Sequence, residues 1–364
     1  QKFDCGRRAD GEIMGKITRV GVVRWDACGD LTTFFGASAY RTLRNPKYRG
    51  RLPFYTRFLG ENAQSEFDFP SDPGQYAEEE ARLAAQSGAD YFMFCYYPSK
   101  PFYKVDYGKN VGLATIAPYL YELNAGMNAF KKLPDKHGMK WCAIIGVSRL
   151  DECDYEELAA DFGSADYEKI GDRPLVYVFT RDGEDYLGKI KKAAAKRGFE
   201  PFVVAMYNAG RDEGFDGVGS YAVGGEPREN YAARYHEQWT SHHEKRLATG
   251  LPVVPCVAMG WNPQPRIDAP VVWYGYPEGN YEELNENQIL RQAELAVNLS
   301  ARHPSQSLNH VTFFAWDEFE EGGWICPTVA VDKDGEPARS ETGKTAINND
   351  KLRAFAAAVR LIKG

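Results

Sequence analysis

The sequence lacks what several large function classes require. No apolar run approaches the roughly 18 residues that a bilayer-spanning helix needs, so no membrane span is expected. There is no CxxC pair, which leaves a zinc ribbon or a thioredoxin-type motif without its sulfurs. No GxSxG elbow occurs, so serine-esterase chemistry has no starting point. Histidine is scarce, six in 364 residues, and no HxH follows the first strand pattern. His236-Glu237-Gln238-Trp239-Thr240 falls short of HExxH, and His236, His242 and His243 read as ordinary helix-surface residues. No metal is therefore expected. Lys/Arg stripes are absent and the net charge is −7, which repels a phosphate backbone and argues against a nucleic-acid partner. Gly217-Val218-Gly219-Ser220-Tyr221-Ala222 is only a partial GxGxxA and does not open a helix, so no dinucleotide and no other cofactor is expected.

The seven cysteines are Cys5, Cys28, Cys95, Cys142, Cys153, Cys256 and Cys326, and an odd count argues against a full disulfide framework. Cys95, Cys142 and Cys256 sit in apolar runs where buried free thiols are common. The chain opens on Gln1, which gives the expectation of a processed or trimmed form, with a secreted or periplasmic location favoured over a cytoplasmic one.

What is present is a rhythm. A short β-branched or aromatic run is followed by a polar turn and then a helical pattern. The strand runs are 17–25, 90–97, 140–147, 175–180, 201–207, 216–221, 252–259 and 310–316. Most are continuously apolar, as parallel strands buried on both faces must be. Helical patterns cover 75–87, 184–197, 228–248, 285–301 and 347–362, and also 114–133, where Pro118 and Gly126 interrupt. Gly88 and Gly198 stop the first two. Alternation of this kind implies an α/β fold, a single-domain (β/α)8 TIM barrel over 1–364, with 1–16 as an N-terminal extension and 346–364 as the last barrel helix. An open doubly wound sheet is the alternative. No Pro/Gly/Ser linker or low-complexity segment divides the chain. The connections 26–74 and 317–345 are long, and in a barrel both belong to the rim where sites are built. The first should fold over the mouth beside 317–328, with Asp26, Arg57 and Glu61 as candidate polar contacts.

The most informative stretch is Trp316-Asp317-Glu318-Phe319-Glu320-Glu321-Gly322-Gly323-Trp324. Four carboxylates follow directly on an apolar strand. Crowding and loss of solvation raise carboxyl pKa values, which a proton donor near neutral pH requires. Trp316, Phe319 and Trp324 offer apolar walls and faces on which a sugar ring can stack. Trp25, Tyr96, Tyr97, Tyr207, Tyr221 and Trp261 fall at strand ends and would ring the same rim as a carbohydrate cleft.

Trp316 to Gly322 resembles the Trp-Asn-Glu-Trp-x-Glu-Gly signature of glycoside hydrolase family 99, the endo-α-1,2-mannosidases. Gly88-Ala89-Asp90-Tyr91-Phe92 before Tyr96-Tyr97 is similar to that family's second strand, and Phe215 to Tyr221 to its sixth. Met259-Gly260-Trp261-Asn262-Pro263-Gln264-Pro265-Arg266 resembles the Gly-Trp-Asp-x-x-Pro-Arg stretch of relatives. The resemblance implies that Glu318 and Glu321 are the catalytic pair, with Trp261, Asn262, Arg266, Trp316, Asp317 and Trp324 beside the substrate. Two positions depart: Asp317 stands for Asn and Phe319 for Trp. Asp317 is expected to place a third negative charge beside the pair.

The function implied is a glycosidase acting on an oligosaccharide or polysaccharide, retaining at an α-linkage, with an α-mannoside favoured by the resemblance. A non-catalytic sugar-binding or polysaccharide-assembly barrel is one alternative, and a metal-dependent barrel hydrolase is another. A retaining pair stands about 5 Å apart for direct attack and an inverting pair roughly 6.5–9.5 Å apart. The resemblance adds a third route. In it Glu318 acts as a base on the substrate's own 2-hydroxyl, a 1,2-anhydro sugar forms, and Glu321 protonates the leaving oxygen and then activates water. Three residues of straight strand would point the two side chains to opposite faces, so the chain must turn at Phe319-Glu320.

Overall fold

The computed structural model describes residues 15–59, 66–101, 111–223, 231–276, 279, 281 and 283–364. Eight parallel strands form an inner ring: β1 (Arg19–Arg24), β2 (Tyr91–Cys95), β3 (Lys140–Ile145), β4 (Arg173–Val178), β5 (Phe202–Ala205), β6 (Gly217–Val218), β7 (Cys256–Ala258) and β8 (His310–Phe314). Their hydrogen-bonded order is β7-β8-β1-β2-β3-β4-β5-β6. The ring closes between β6 and β7, where Val218 N–H donates to the Pro252 carbonyl (2.8 Å) and Val254 N–H to the Val218 carbonyl (2.9 Å). The fold is the expected (β/α)8 barrel. The expected N-terminal extension 1–16 lies outside the described residues except for Gly15 and Lys16.

The strands form where the sequence is apolar at every position. All five residues of β2 are buried, because one face meets the barrel interior and the other the helices. Inside the ring, Tyr91 and Tyr177 approach hydroxyl to hydroxyl at 3.3 Å. The Tyr91 ring crosses β1 at Gly21, where an added Cβ would lie 2.4 Å from its Cζ, so no larger residue fits.

The helices among the described residues are α1 (Phe34–Leu43), α2 (Ala77–Gln86), α3 (Val111–Ile116), α4 (Ala125–Lys132), α5 (Glu152–Asp161), α6 (Tyr186–Ala195), α7 (Tyr231–Leu247), α8 (Gln264–Asp268), α9 (Glu286–Arg302) and α10 (Asp350–Lys363). Glu78, Glu79 and Glu80 open α2, where the helix dipole favours negative charge. A reciprocal cap between Asn285 and Gln288 starts α9. In α10 Phe355 packs edge-on against Phe313 of β8, ring centroids 4.8 Å apart.

Three expectations need correction. First, between β5 and β6 the chain makes only the short 3-10 turn Arg211–Glu213, so the strand–helix alternation is broken once. Second, α1 and α5 form where no helical pattern was read. Third, His243 is fully buried rather than on the helix surface: its Nδ1 lies 2.8 Å from the Trp239 carbonyl and its Nε2 accepts from Cys256 N–H at 3.0 Å. The interruption read at Pro118 is real. The α3 helix ends at Ile116, a 3-10 stretch runs over Ala117–Asn124, and α4 begins at Ala125.

The two long connections lie against each other. Phe54 N–H donates to the Pro327 carbonyl (3.0 Å) and Val329 N–H to the Leu52 carbonyl (2.8 Å). Arg51 Nη1 reaches the Phe319 carbonyl (3.4 Å) and Thr42 Oγ1 donates to Glu320 Oε1 (2.5 Å). The expected placement of 26–74 beside 317–328 is therefore present.

Candidate active site

A cavity of about 250 Å³ opens at the C-terminal ends of the strands. Trp25 enters it from the end of β1, Tyr97 from β2, Tyr221 from β6, Trp261 from β7 and Glu318 from β8, with Phe35 from α1, Arg266 from α8 and Glu321 from the turn after β8. Trp25 Nε1 donates to the Tyr97 hydroxyl at 2.7 Å, which sets both rings. Trp261 stacks on Phe314 at 5.3 Å.

Glu318 and Glu321 share this cavity because the chain turns after β8. Glu321 N–H and Gly323 N–H both fold back on the Glu318 carbonyl (3.3 and 3.2 Å). Gly322 has φ +80° and a Cβ there would lie 2.7 Å from Asn262 N, so the tight turn requires glycine. The turn expected at Phe319-Glu320 is thus present.

Both carboxyls are buried, Glu318 at 4% exposure and Glu321 at 7%. Arg266, 4% exposed, serves the whole acidic turn. Its Nη1 donates to Glu321 Oε1, its Nη2 to Glu320 Oε2 at 3.1 Å, and Glu318 Oε2 lies 3.9 Å from Nη2. The Tyr276 hydroxyl also donates to Glu321 Oε1. Glu318 accepts from Tyr221 Oη at 3.1 Å through Oε1, while its Oε2 accepts no hydrogen bond among the described residues. Desolvation, reinforced by the charge of Glu321, pushes Glu318 well above the usual carboxylate range. Desolvation raises Glu321 less far, because Arg266 and Tyr276 favour its charged form. The two carboxyls titrate as a pair, and of the two the surroundings favour the protonated form more strongly at Glu318.

Behind the cavity lies a second buried charge cluster. Arg24, over the ring of Phe92 at 5.0 Å, donates to Glu80 Oε2 (2.5 Å) and Asp26 Oδ1 (2.8 Å) and lies 3.8 Å from Asp317 Oδ2. Trp316 Nε1 donates to Glu80 Oε1 at 2.9 Å. Asp317 Oδ1 accepts from Trp25 N–H at 2.8 Å. Desolvation and the Asp26 charge push Asp317 well above the usual range. Asp317 anchors Trp25 from behind, and its charge adds to the push on Glu318.

Of the residues read from the sequence, Trp25, Tyr97, Tyr221, Trp261, Arg266, Glu318 and Glu321 meet in one cavity. The others lie elsewhere. Trp316 is fully buried behind the floor, and Trp324 packs under Arg51 and Lys351 (5.3 and 4.3 Å). Tyr96 points outward, its hydroxyl on the Asp154 carbonyl at 3.2 Å. Tyr207 rests between Phe215 and Arg181. Asp26 faces a separate cleft with Asp30 and Glu122. Asn262 uses its N–H on the Glu321 carbonyl (2.6 Å) and its side chain on Gln264 N (3.2 Å). Arg57 pairs with Asp68 at 2.9 Å on the surface, and Glu61 lies outside the described residues. Sequence reading missed Tyr276 and Trp273. The aromatic run Trp273-Tyr274-Gly275-Tyr276 in a loop after a barrel strand was the available signal.

Among the described residues, one cluster has its ligand atoms close enough for a metal: Asp151, Cys153 and Asp154, outside this cavity. Asp154 already accepts from Ser99 N, Ser99 Oγ and Asp151 N (2.9, 3.0 and 2.8 Å), so its oxygens serve a loop. No helix among the described residues is long and apolar enough to cross a membrane.

Fold and site together define a (β/α)8 barrel whose aromatic-walled mouth holds a buried carboxyl pair around one arginine. The sequence matches no family model and no curated protein. Among solved structures, the fold is similar to a glycoside hydrolase-like protein at TM-score 0.56 and 13% identity, covering 96% of this chain and 95% of that one. It is also similar to the GH99 endo-alpha-mannosidase from Bacteroides thetaiotaomicron at TM-score 0.54 and 11% identity, with 95% and 97% covered. At these identities the likeness is one of fold.

Proposed function

We propose that residues 1–364 act as one catalytic barrel, a glycoside hydrolase that cleaves a glycan at an α-linkage with retention, with an α-mannoside as first choice. Glu318 and Glu321 are its acid/base pair. The observation that carries this reading is the meeting of two buried carboxyls in one cavity: the arginine-paired Glu321, and Glu318, whose Oε2 accepts no hydrogen bond among the described residues. The signature resemblance and the shared fold with an endo-alpha-mannosidase favour the α-mannoside.

The route follows from the coupling of the two carboxyls. A substrate 2-hydroxyl that donates to the Glu318 carboxyl stabilises its charged form. The new charge then raises the affinity of Glu321 for a proton, since the two carboxyls titrate as a pair. Glu321 protonates the leaving oxygen while Glu318 takes the 2-hydroxyl proton. The 2-oxygen displaces the leaving group and forms a 1,2-anhydro sugar. Glu321 then deprotonates a water that attacks C1, the C1–O2 bond breaks, and Glu318 returns its proton to the 2-oxygen, so the ring opens with configuration retained. Arg266 keeps the acidic turn compensated throughout.

The test is a panel of α-mannooligosaccharides and other glycans, with products read by mass spectrometry and the anomer first formed by NMR. Hydrolysis with retention supports the reading. Binding by calorimetry without turnover on any glycan would instead leave a non-catalytic sugar-binding barrel.

A further inference from the structure

One side of the cavity has no use in acid/base chemistry. Ile116, Leu120, Leu123, Val147 and Phe179 line it. They come from the stretch after β2 and from the ends of β3 and β4. In the closed ring β3 and β4 stand across from β7 and β8, so Val147 and Phe179 enter opposite Trp261 and Glu318, Phe179 reaching the ring of Tyr221 edge-on at 4.9 Å, while Ile116, Leu120 and Leu123 follow β2, across from β6. Leu120 and Leu123 are held firmly, since both are buried in the 3-10 stretch Ala117–Asn124.

An ordinary hexose carries hydroxyls around its ring. A hydroxyl pressed against aliphatic carbon gives up its bonds to water and gains none, whereas a methyl group gains by the same burial. Resting on the glycosidase reading, we propose that the sugar next to the scissile bond carries a methyl group on the side away from Glu318 and Glu321. That methyl is the C6 of a 6-deoxy sugar or an O-methyl ether. The carboxyl side reads hydroxyls near the anomeric carbon, and Ile116, Leu120, Leu123 and Val147 select the methyl.

The experiment uses matched glycosides with one common aglycone: manno, gluco and galacto configurations, both anomers, each as the parent, the 6-deoxy and the O-methyl form. One methyl in an apolar pocket is worth about tenfold or more in kcat/KM. A methyl-bearing substrate should exceed its parent by that factor, and the better of the two forms identifies the source. Leu123→Asn should bring the ratio towards one. Val147→Thr, which keeps the shape and adds a hydroxyl, should lower it partly and guards against a folding defect in the first variant. A ratio below about threefold in every pair would overturn the inference while leaving the hydrolase reading intact. So would a ratio that neither variant alters. If no glycoside is turned over, the same pairs are titrated by calorimetry. A binding preference for the methyl form then keeps the inference while the hydrolase reading falls, and equal binding overturns both.

Discussion

Arg266 Nη1 donates to Glu321 Oε1 in the cavity lining, joining α8 after β7 to the turn after β8. Several outcomes depend on this pair.

Glu321→Gln should lower kcat by about 10²–10⁴, the usual worth of a positioned acid/base, and Glu318→Gln by a similar amount. The two should differ in leaving-group dependence. A good aryl leaving group needs no proton, so Glu321→Gln should regain rate on such a substrate and Glu318→Gln should not. Rescue of Glu318→Gln alone would exchange the two roles.

Tyr276→Phe removes a donor that favours the charged form of Glu321. The Glu321 proton should then be held to higher pH. Because Glu321 must donate, the alkaline limb of kcat/KM against pH should move upwards. A downward shift would contradict the assignment.

Arg266→Gln leaves Glu318, Glu320 and Glu321 buried without their cation. Breaking a buried ion pair from one side costs about 3–5 kcal/mol, to be read by urea denaturation at neutral pH. At acid pH Glu318 and Glu321 take up protons and the cost should shrink. An equal loss at both pH values would mean that packing, not charge, is what Arg266 supplies.

Glu318 is raised from the ordinary value of 4.5, so its protonated form is the one the fold favours. That contribution is complete below 4.5 and is lost as pH rises through the native value. Glu318→Gln has no such loss. The variant should gain stability relative to the native chain as pH rises from 4.5 towards the raised native value. A constant difference over that range would show that Glu318 ionises as freely in the fold as in the unfolded chain.

His242 and His243 have the opposite sign. Burial lowers them to about 4 and about 3 from 6.5, so their contribution is present above 6.5 and is lost as pH falls towards those values. Each should remove about 1.4 kcal/mol of stability per pH unit over that interval. His243→Gln should flatten the acid limb of stability measured by urea midpoints, and an unchanged slope would show that His243 does not set it.

The barrel was legible because parallel strands buried on both faces are apolar throughout, as in Tyr91–Cys95. The carboxyl turn was legible because four acids directly after such a strand have few structural uses. Facing was not. At the end of β2 the side chains alternate, so Tyr97 enters the cavity and Tyr96 meets the helix layer. Composition cannot choose between the two without knowing where the strand stops. The same parity separates Trp25 from Asp26. Tyr276 was missed because its contact with Glu321 spans 45 positions and two loops. His243 was misread because one residue of helix rotation turns a surface position into a core one.

The main-chain bonds between Phe54 and Pro327, and between Val329 and Leu52, have a consequence for ancestry and engineering alike. They stitch the first long connection to the last, although nearly the whole barrel separates them in the chain. A deletion or exchange confined to either connection strips hydrogen-bond partners from the other and moves the acidic turn with it. Lineages that diversify this rim are therefore expected to inherit the two connections jointly, and a designer who transplants one onto another scaffold must carry its mate.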